Sequence, residues 1–579
     1  MPRAWRPPEP FRGYRRSWLI GDAVAGLTVT AYLIPQVMAY AEVAGLPPVT
    51  GLWAIIGPLI VYPVLGSSRL LSVGPESTTA LMTAVALMPL AAGDPARYAA
   101  LAATLALLTG GICLLGRLLR LGFLADLLSR PVLVGYMAGV AVIMITGQLG
   151  KVTGVTVSGD GFLSQATSFG SGLAGVRWPV VALSGVLLAG LLVLHRLAPR
   201  APGPLIMVFA AAVVVAAFSL GDDGIEVVGA VPVGLPVPAL PDLAPADVAL
   251  LLLPAIGTTL VGYTDNVLTA RAFAIKQGLA IDANREWAAL GAANISSSLL
   301  HGFPVSSSGS RTALAVSVGA RSQLYSLVAV GLVLVTLLAA GPLLGVFPRP
   351  ALGALVIFAA LQLVDLREMR RIARFRRSEL ALTLLTTLAV LGLGVIAGIG
   401  VAVGLSVMDL LRRVARPHDG ILGYVPGLAG MHDVDDFPSA QRIPGLVVYR
   451  YDAPLCFANA DDFRRRALAA AGPGPVAWFV LNAEANVEID ITAADALDQL
   501  RADLAARSVV FAMARVKQDL LADLRAAGFV DKIGAERIFP TLPTAVAAYL
   551  ADYRATHGDL PPGVHRSPLP PDPLTGDPP

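Results

Sequence analysis

The sequence predicts a polytopic α-helical membrane protein of fourteen membrane segments, followed by a soluble α/β domain. Three observations predict it. The chain is 55% hydrophobic and 14% charged, with a mean hydropathy of +0.69, where a soluble chain carries about 25% charged residues. Apolar runs long enough to span a bilayer recur from about residue 20 to about residue 415. After residue 416 the runs shorten and alternate with helical periods, as in a βαβ domain.

The expected spans are 20–42, 50–65, 76–92, 97–118, 125–149, 178–196, 203–220, 247–269, 285–300, 308–318, 323–345, 350–365, 378–397 and 399–414. The first run continues as VTAYLIPQVMAYAEVAGLPP with no small-residue cleavage pattern, so it reads as a span and not as a removed signal. With the N-terminus inside, the cytoplasmic loops collect Arg69, Arg117, Arg120, Arg196, Arg200, Arg271 and the run REMRRIARFRR. The outer loops keep Arg97, Lys151, Arg177 and Arg349. That imbalance follows the positive-inside rule and places both termini in the cytoplasm of a multi-pass inner (plasma) membrane protein. The expected organisation is a cytoplasmic segment 1–19, a membrane domain 20–416, a linker 417–439, a cytoplasmic domain 440–552 and a Pro-rich disordered tail 553–579. Cys113 and Cys456 are the two cysteines, which excludes a disulfide framework and gives no metal motif.

Segments 3 and 10 are too short to span as helices, and they resemble one another. Segment 3 lies in SVGPESTTALMTA and segment 10 in PVSSSGSRTALAVSVGA. Gly74-Pro75 and the run Ser306 to Ser310 should each break the span. Non-helical backbone at membrane depth is tolerated only inside protein or beside a cavity. Each break leaves a helix starting near the midplane, at about Glu76 and about Ser308. The first amides of such a helix lack internal partners, and its dipole adds partial positive charge. Two such ends facing each other form an anion site. Under the fourteen-span scheme the two segments run antiparallel, as inverted repeats require. The alternative is that small residues simply permit tight helix packing.

Charges at membrane depth narrow the reading. Arg311 follows the segment 10 helix start and offers a fork of donors suited to an oxyanion; it could instead form a structural ion pair with Glu76 or Asp265. Asp265, in LVGYTDNVLTARAFA, could carry a proton if buried, or serve only as a hydrogen-bond partner of a broken helix. Glu76 stands where an anion would bind, which fits only if it is protonated or points away. Gln36 and Tyr40 share one helix face and offer neutral donors, or make ordinary helix–helix hydrogen bonds.

These residues resemble the SulP-type anion permeases, whose animal relatives include prestin and pendrin, with actinobacterial members described as sulfate transporters the nearest in character. The motifs carrying the resemblance are GDAVAGLTVTAYLIPQVMAYAEVAGLPPVTGLW, LLSVGPESTTALMTA, VGYTDNVLTARAFA and NISSSLLHGFPVSSSGSRTA, and it covers about residues 18–552. The soluble part resembles a STAS (sulfate transporter and anti-sigma factor antagonist) domain. The resemblance implies a seven-plus-seven inverted repeat with half-helices at segments 3 and 10, a core domain moving against a gate domain, and a homodimer. It implies substrate-binding roles for Gln36, Tyr40, Glu76, Ser77, Gly309, Ser310 and Arg311, and a coupling-ion role for Asp265. One branch of the family binds sodium near that last position, so sodium coupling stays open. The STAS loop that often carries Asp-Ser-Thr reads Asp490-Ile491-Thr492-Ala493 here, so phosphoswitching could use only Thr492.

The expected function is secondary active transport of an oxyanion, most simply proton-coupled uptake of sulfate by alternating access. The alternatives are a sodium-coupled bicarbonate or dicarboxylate transporter on the same fold, or a membrane-anchored STAS signalling protein. No nucleophile–base pair, metal cluster or phosphate-cradling loop stands out, so the sequence supports no enzyme, no catalytic residue, no metal and no cofactor. The expected partners are a small inorganic anion, a coupling proton or sodium ion, the lipid bilayer and a second copy of the chain, with no nucleic acid.

Overall fold

The computed structural model describes residues 11 and 14–562, apart from 123–128, 158, 160, 221–224, 231, 233, 242–243, 276–277 and 427. Most of the expected N-terminal segment and the tail beyond 562 lie outside the described residues. The chain divides into two compact units, residues 1–406 and 407–579.

The first unit opens with α1 (Leu19–Val43), α2 (Val49–Leu65), β1 (Ser72–Gly74), α3 (Ser77–Leu87) and α4 (Pro95–Leu118). It continues through α5 (Arg130–Thr153), α6 (Phe162–Ser171), α7 (Trp178–Leu197) and α8 (Gly203–Ala217). Its second half repeats the plan: α9 (Pro245–Ile275), α10 (Ala283–Leu299), β2 (Ser306–Ser308), α11 (Gly309–Ser317) and α12 (Leu324–Ala339). The short α13 (Gly341–Gly345), α14 (Arg349–Leu363), α15 (Leu366–Phe375), α16 (Arg377–Leu393) and α17 (Val395–Ala415) complete it, α17 carrying the chain into the second unit. Each expected span overlaps a helix, with 323–345 covering both α12 and α13 and 378–397 running from α16 into α17. Among the described residues, seven helices are long and apolar enough to cross a membrane, with shorter apolar helices at α2, α3, α8 and α12. Val186, Val335 and Leu388 are more than half exposed on α7, α12 and α16, as a lipid-facing surface allows.

The helices pack as two bundles. One joins α1–α4 to α9–α12; the other joins α5, α7 and α8 to α14 and α16. In the first, α4 and α10 cross at Gly110 and Gly291, where a side chain on Gly110 would start 2.8 Å from the Gly291 carbonyl oxygen. Small residues let two backbones approach this closely in a membrane. Polar groups inside the bundle are paired: the buried Glu286 carboxylate accepts from Tyr62, from the backbone and hydroxyl of Ser67, and from Asn266.

The second unit is a six-stranded sheet of order β4-β3-β5-β6-β7-β8, flanked by helices. Its strands are β3 (Asp419–Tyr424), β4 (Met431–Asp433), β5 (Leu446–Tyr451), β6 (Trp478–Asn482), β7 (Val510–Ala514) and β8 (Ile538–Phe539). Strands β5 to β8 are parallel, joined through α18 (Ala460–Ala471), α19 (Ile491–Ala506), α20 (Gln518–Ala526) and α21 (Phe529–Ile533); α22 (Leu542–His557) closes the unit. β3 and β4, antiparallel at one edge, lie in the stretch that reads as a linker from sequence. Asp490 caps α19 by accepting from the Ala493 amide at 2.8 Å and also accepts from the Phe457 amide. Ile491 is 69% exposed beside it, and Thr492 is exposed in the first turn.

Candidate functional site

The site is built where the two broken segments meet. Proline at 75 has no amide hydrogen and disfavours helical backbone at residue 74, so the chain stays extended through Glu76 and α3 begins at Ser77. The serines at 306–308 stay extended too, and α11 begins at Gly309. The two extended stretches pair antiparallel, Ser72 with Ser308, Val73 with Ser307 and Gly74 with Ser306. All six residues are buried. Pairing satisfies backbone that would otherwise be stranded at membrane depth. It also sets the start of α3 beside the start of α11.

Arg311 binds the two breaks together. It is fully buried in the first turn of α11. Its Nε donates to Ser72 Oγ at 3.1 Å, and its Nη1 donates to Gln36 Oε1 at 3.2 Å and to the Pro75 carbonyl at 2.9 Å. All three acceptors are neutral. The remaining nitrogen, Nη2, has no hydrogen-bond partner. The Glu76 carboxylate comes to 4.0 Å of Nη1, and its Oε1 accepts from Ser77 Oγ at 2.7 Å. Asp265, on α9, accepts from Ser307 Oγ at 3.0 Å and so ties α9 to β2.

Tyr40 accepts from Gln36 Nε2 at 3.0 Å, so this pair supports the guanidinium from α1. Ser77 is buried at the start of α3. Gly309 faces open space, with no atom within 4 Å of where a side chain would begin. Ser310 Oγ lies 3.2 Å from Ser308 Oγ, and Ser310 lines a cavity together with Tyr32. The expected site residues therefore come from four helices, α1, α3, α9 and α11.

Four contributors were not named from sequence: Ser72, Ser307, Thr312 and Tyr32. Thr312 Oγ1 donates to the Ser308 carbonyl at 2.7 Å and accepts from the Ser72 amide at 3.0 Å, which stitches α11 to β1. Tyr32 was legible in principle, because it precedes Gln36 and Tyr40 at intervals of one helical turn.

A cavity of about 230 Å³ leads to this point between the two bundles. Tyr32, Ser310, Ala313 and Ser317 line it from the first bundle, and His195 and Gln362 from the second. It opens at the end of the bundle where α7, α11 and α14 finish. At the opposite end, Lys151 of α5 pairs with Glu42 of α1 at 2.8 Å across the bundles. Among the described residues no cluster of three or more His, Cys, Asp or Glu could hold a metal ion. A charged fork between two helix starts, reached by a largely apolar cavity that carries a few polar side chains, can bind a small anion.

Comparison with known proteins agrees with this architecture. The sulfate permease family matches residues 19–386, and the STAS domain matches residues 437–545. A protein named as a probable sulfate transporter of Mycobacterium tuberculosis is 63% identical over 93% of this chain and 97% of its own. A chloroplastic sulfate transporter of Arabidopsis thaliana is 30% identical over 91% of this chain and 80% of its own. Among solved structures, a murine solute carrier 26 anion transporter, member A9, in the inward-facing state superposes with a TM-score of 0.86 at 23% identity, covering 93% of each chain. The transmembrane domain of a cyanobacterial bicarbonate transporter superposes with a TM-score of 0.59 at 19% identity, over 68% of this chain and 98% of that one.

Proposed function

The chain belongs to the sulfate permease family, and from that premise we propose that it is a secondary active transporter of an oxyanion, sulfate first, taken up with protons by alternating access. One observation carries the reading: a fully buried arginine with an unpartnered nitrogen sits between two helix N-termini. In a membrane interior such a donor is costly unless an anion completes it. The sulfate transporters that resemble this chain over most of its length favour sulfate as that anion.

In this reading the anion enters the cavity between the bundles and passes Tyr32 and Ser310. It then sits against Gly309 and the amides of the two helix starts, with Arg311 Nη2 as its charged donor. Gln36 and Tyr40 hold Arg311 rather than the anion. A dianion is expensive to carry into a dry site, and a proton on Asp265 removes one opposing negative charge. Because Asp265 reaches the site through Ser307 on β2, its protonation and anion binding share one structural element. The first bundle would carry the site from one face to the other against the second. We place the protein in the plasma membrane with both termini in the cytoplasm, as the arginine-rich loops support, and take it to be a homodimer as the family resemblance implies.

The test is uptake of labelled sulfate into proteoliposomes holding the full chain, under an imposed pH gradient or an imposed sodium gradient. Saturable uptake driven by the pH gradient supports the proposal. Uptake that follows sodium and ignores pH replaces the proton with sodium, and selective uptake of bicarbonate or a dicarboxylate replaces the substrate.

A further inference from the structure

We infer that Glu76 is a tethered counter-anion: its carboxylate occupies the anion position beside Arg311, and the substrate must displace it. This rests on the reading of the Arg311 site as an oxyanion site.

Glu76 is the residue before α3, the position from which Ser, Thr, Asp or Asn would cap the helix by accepting from its first amides. It makes no such bond. Its carboxylate is turned instead toward the facing half-helix, with one oxygen held by Ser77 and the other 4.0 Å from Arg311 Nη1. That second oxygen, Oε2, has no hydrogen-bond partner, and neither has Arg311 Nη2. Two complementary groups, Arg311 fully buried and Glu76 partly so, stand close together without closing a hydrogen bond. A structural ion pair closes to hydrogen-bond length, as Lys151 and Glu42 do at 2.8 Å. The looser spacing fits a carboxylate that balances the arginine charge yet leaves room for a competitor.

Among the described residues Glu76 is the one carboxylate within 4.0 Å of the Arg311 guanidinium, and every closer acceptor is neutral. A divalent oxyanion arriving at Arg311 would meet a like charge a few ångströms away. The carboxylate therefore competes with the substrate, and the competition grows with substrate charge.

The test is sulfate and nitrate binding by calorimetry to the purified full chain at neutral pH, for wild type, Glu76→Gln and Arg311→Ala. Glutamine keeps the shape and an oxygen for Ser77 but carries no charge. The expected result is sulfate binding tightened about tenfold or more in Glu76→Gln, with a smaller gain for monovalent nitrate. Glu76→Met, of similar bulk and no charge, should also tighten sulfate and serves if the glutamine variant is not monodisperse. If wild type binds sulfate, Arg311→Ala does not, and Glu76→Gln binds no tighter than wild type, the tethered-anion role is wrong and the site reading stands. If wild type and Arg311→Ala bind sulfate equally, or neither binds it, the site reading falls and this inference falls with it.

Discussion

Arg311, in the first turn of α11, donates to the carbonyl oxygen of Pro75, 2.9 Å away at the break before α3. One side chain thereby reaches from the second half of the fold into the first. The same guanidinium reaches Ser72 on β1 and Gln36 on α1 and still leaves one nitrogen for a ligand. Its position makes it both a brace between the half-helices and the charge at their meeting point.

Replacing Arg311 by alanine should weaken sulfate binding while the protein stays folded. Losing a charged donor from a dry site costs about 1.5–3 kcal/mol, roughly a tenfold to hundredfold loss of affinity. Arg311→Lys should recover little, because an ammonium cannot satisfy Ser72, Gln36 and the Pro75 carbonyl in the planar pattern a guanidinium spans. Calorimetry on monodisperse protein checks both variants, and undiminished affinity in Arg311→Ala would remove the residue from the site.

Asp265→Asn separates binding from coupling. Asparagine keeps an oxygen for Ser307 but is permanently neutral. Sulfate should still bind and exchange across the membrane, while an imposed pH gradient should no longer drive accumulation. Proteoliposomes reconstituted with this variant give the answer directly. Continued concentrative uptake would take the coupling role away from Asp265.

The order of spans and the two broken segments were legible because composition, Gly-Pro and serine runs, and short apolar length all act locally. The partners of Arg311 were less so. Ser72 and Ser307 meet the site only because β1 and β2 pair across more than two hundred residues, a register that no local signal reports. The direction of Glu76 was equally closed to sequence, since only the facing half-helix determines it. In the soluble unit, DGILGYVPGLAGMHD is rich in glycine and weak in strand propensity, so β3 and β4 emerge only from their pairing with β5 and each other.

Helix packing gives a sharp stability test. A side chain on Gly51 of α2 would begin 2.0 Å from the Val37 carbonyl oxygen of α1, and backbone cannot swing aside. Gly51→Ala should destabilise the first bundle by about 1–3 kcal/mol. Gly111 of α4 has no atom within 4 Å of its would-be side chain, so Gly111→Ala should not lower stability. Thermal melts in detergent compare the two, and equal melting temperatures would contradict the packing.

The soluble unit should fold alone only with its edge strands. Asp419 on β3 accepts from Tyr449 at 2.8 Å and from Arg466 at 2.6 Å, and Leu422 joins the core beside Val448 and Trp478. Burial, followed by donation to Asp419, raises the pKa of the Tyr449 hydroxyl, so it remains a donor at physiological pH. A fragment of 417–562 should melt cooperatively. One of 440–562 exposes the β5 edge and leaves Arg466 and Tyr449 without Asp419, so it should melt lower or aggregate. Scanning calorimetry with light scattering distinguishes them, and identical behaviour would mean that β3 and β4 add nothing to the fold.

The central claim is that an oxyanion crosses the membrane through the Arg311 site. Labelled sulfate uptake into proteoliposomes, measured side by side for wild type and Arg311→Ala under the same inward proton gradient, tests it most directly. The account predicts saturable, concentrative uptake by wild type and uptake near that of protein-free vesicles for Arg311→Ala. Equal uptake by the two proteins, or none above protein-free vesicles in wild type, would contradict it.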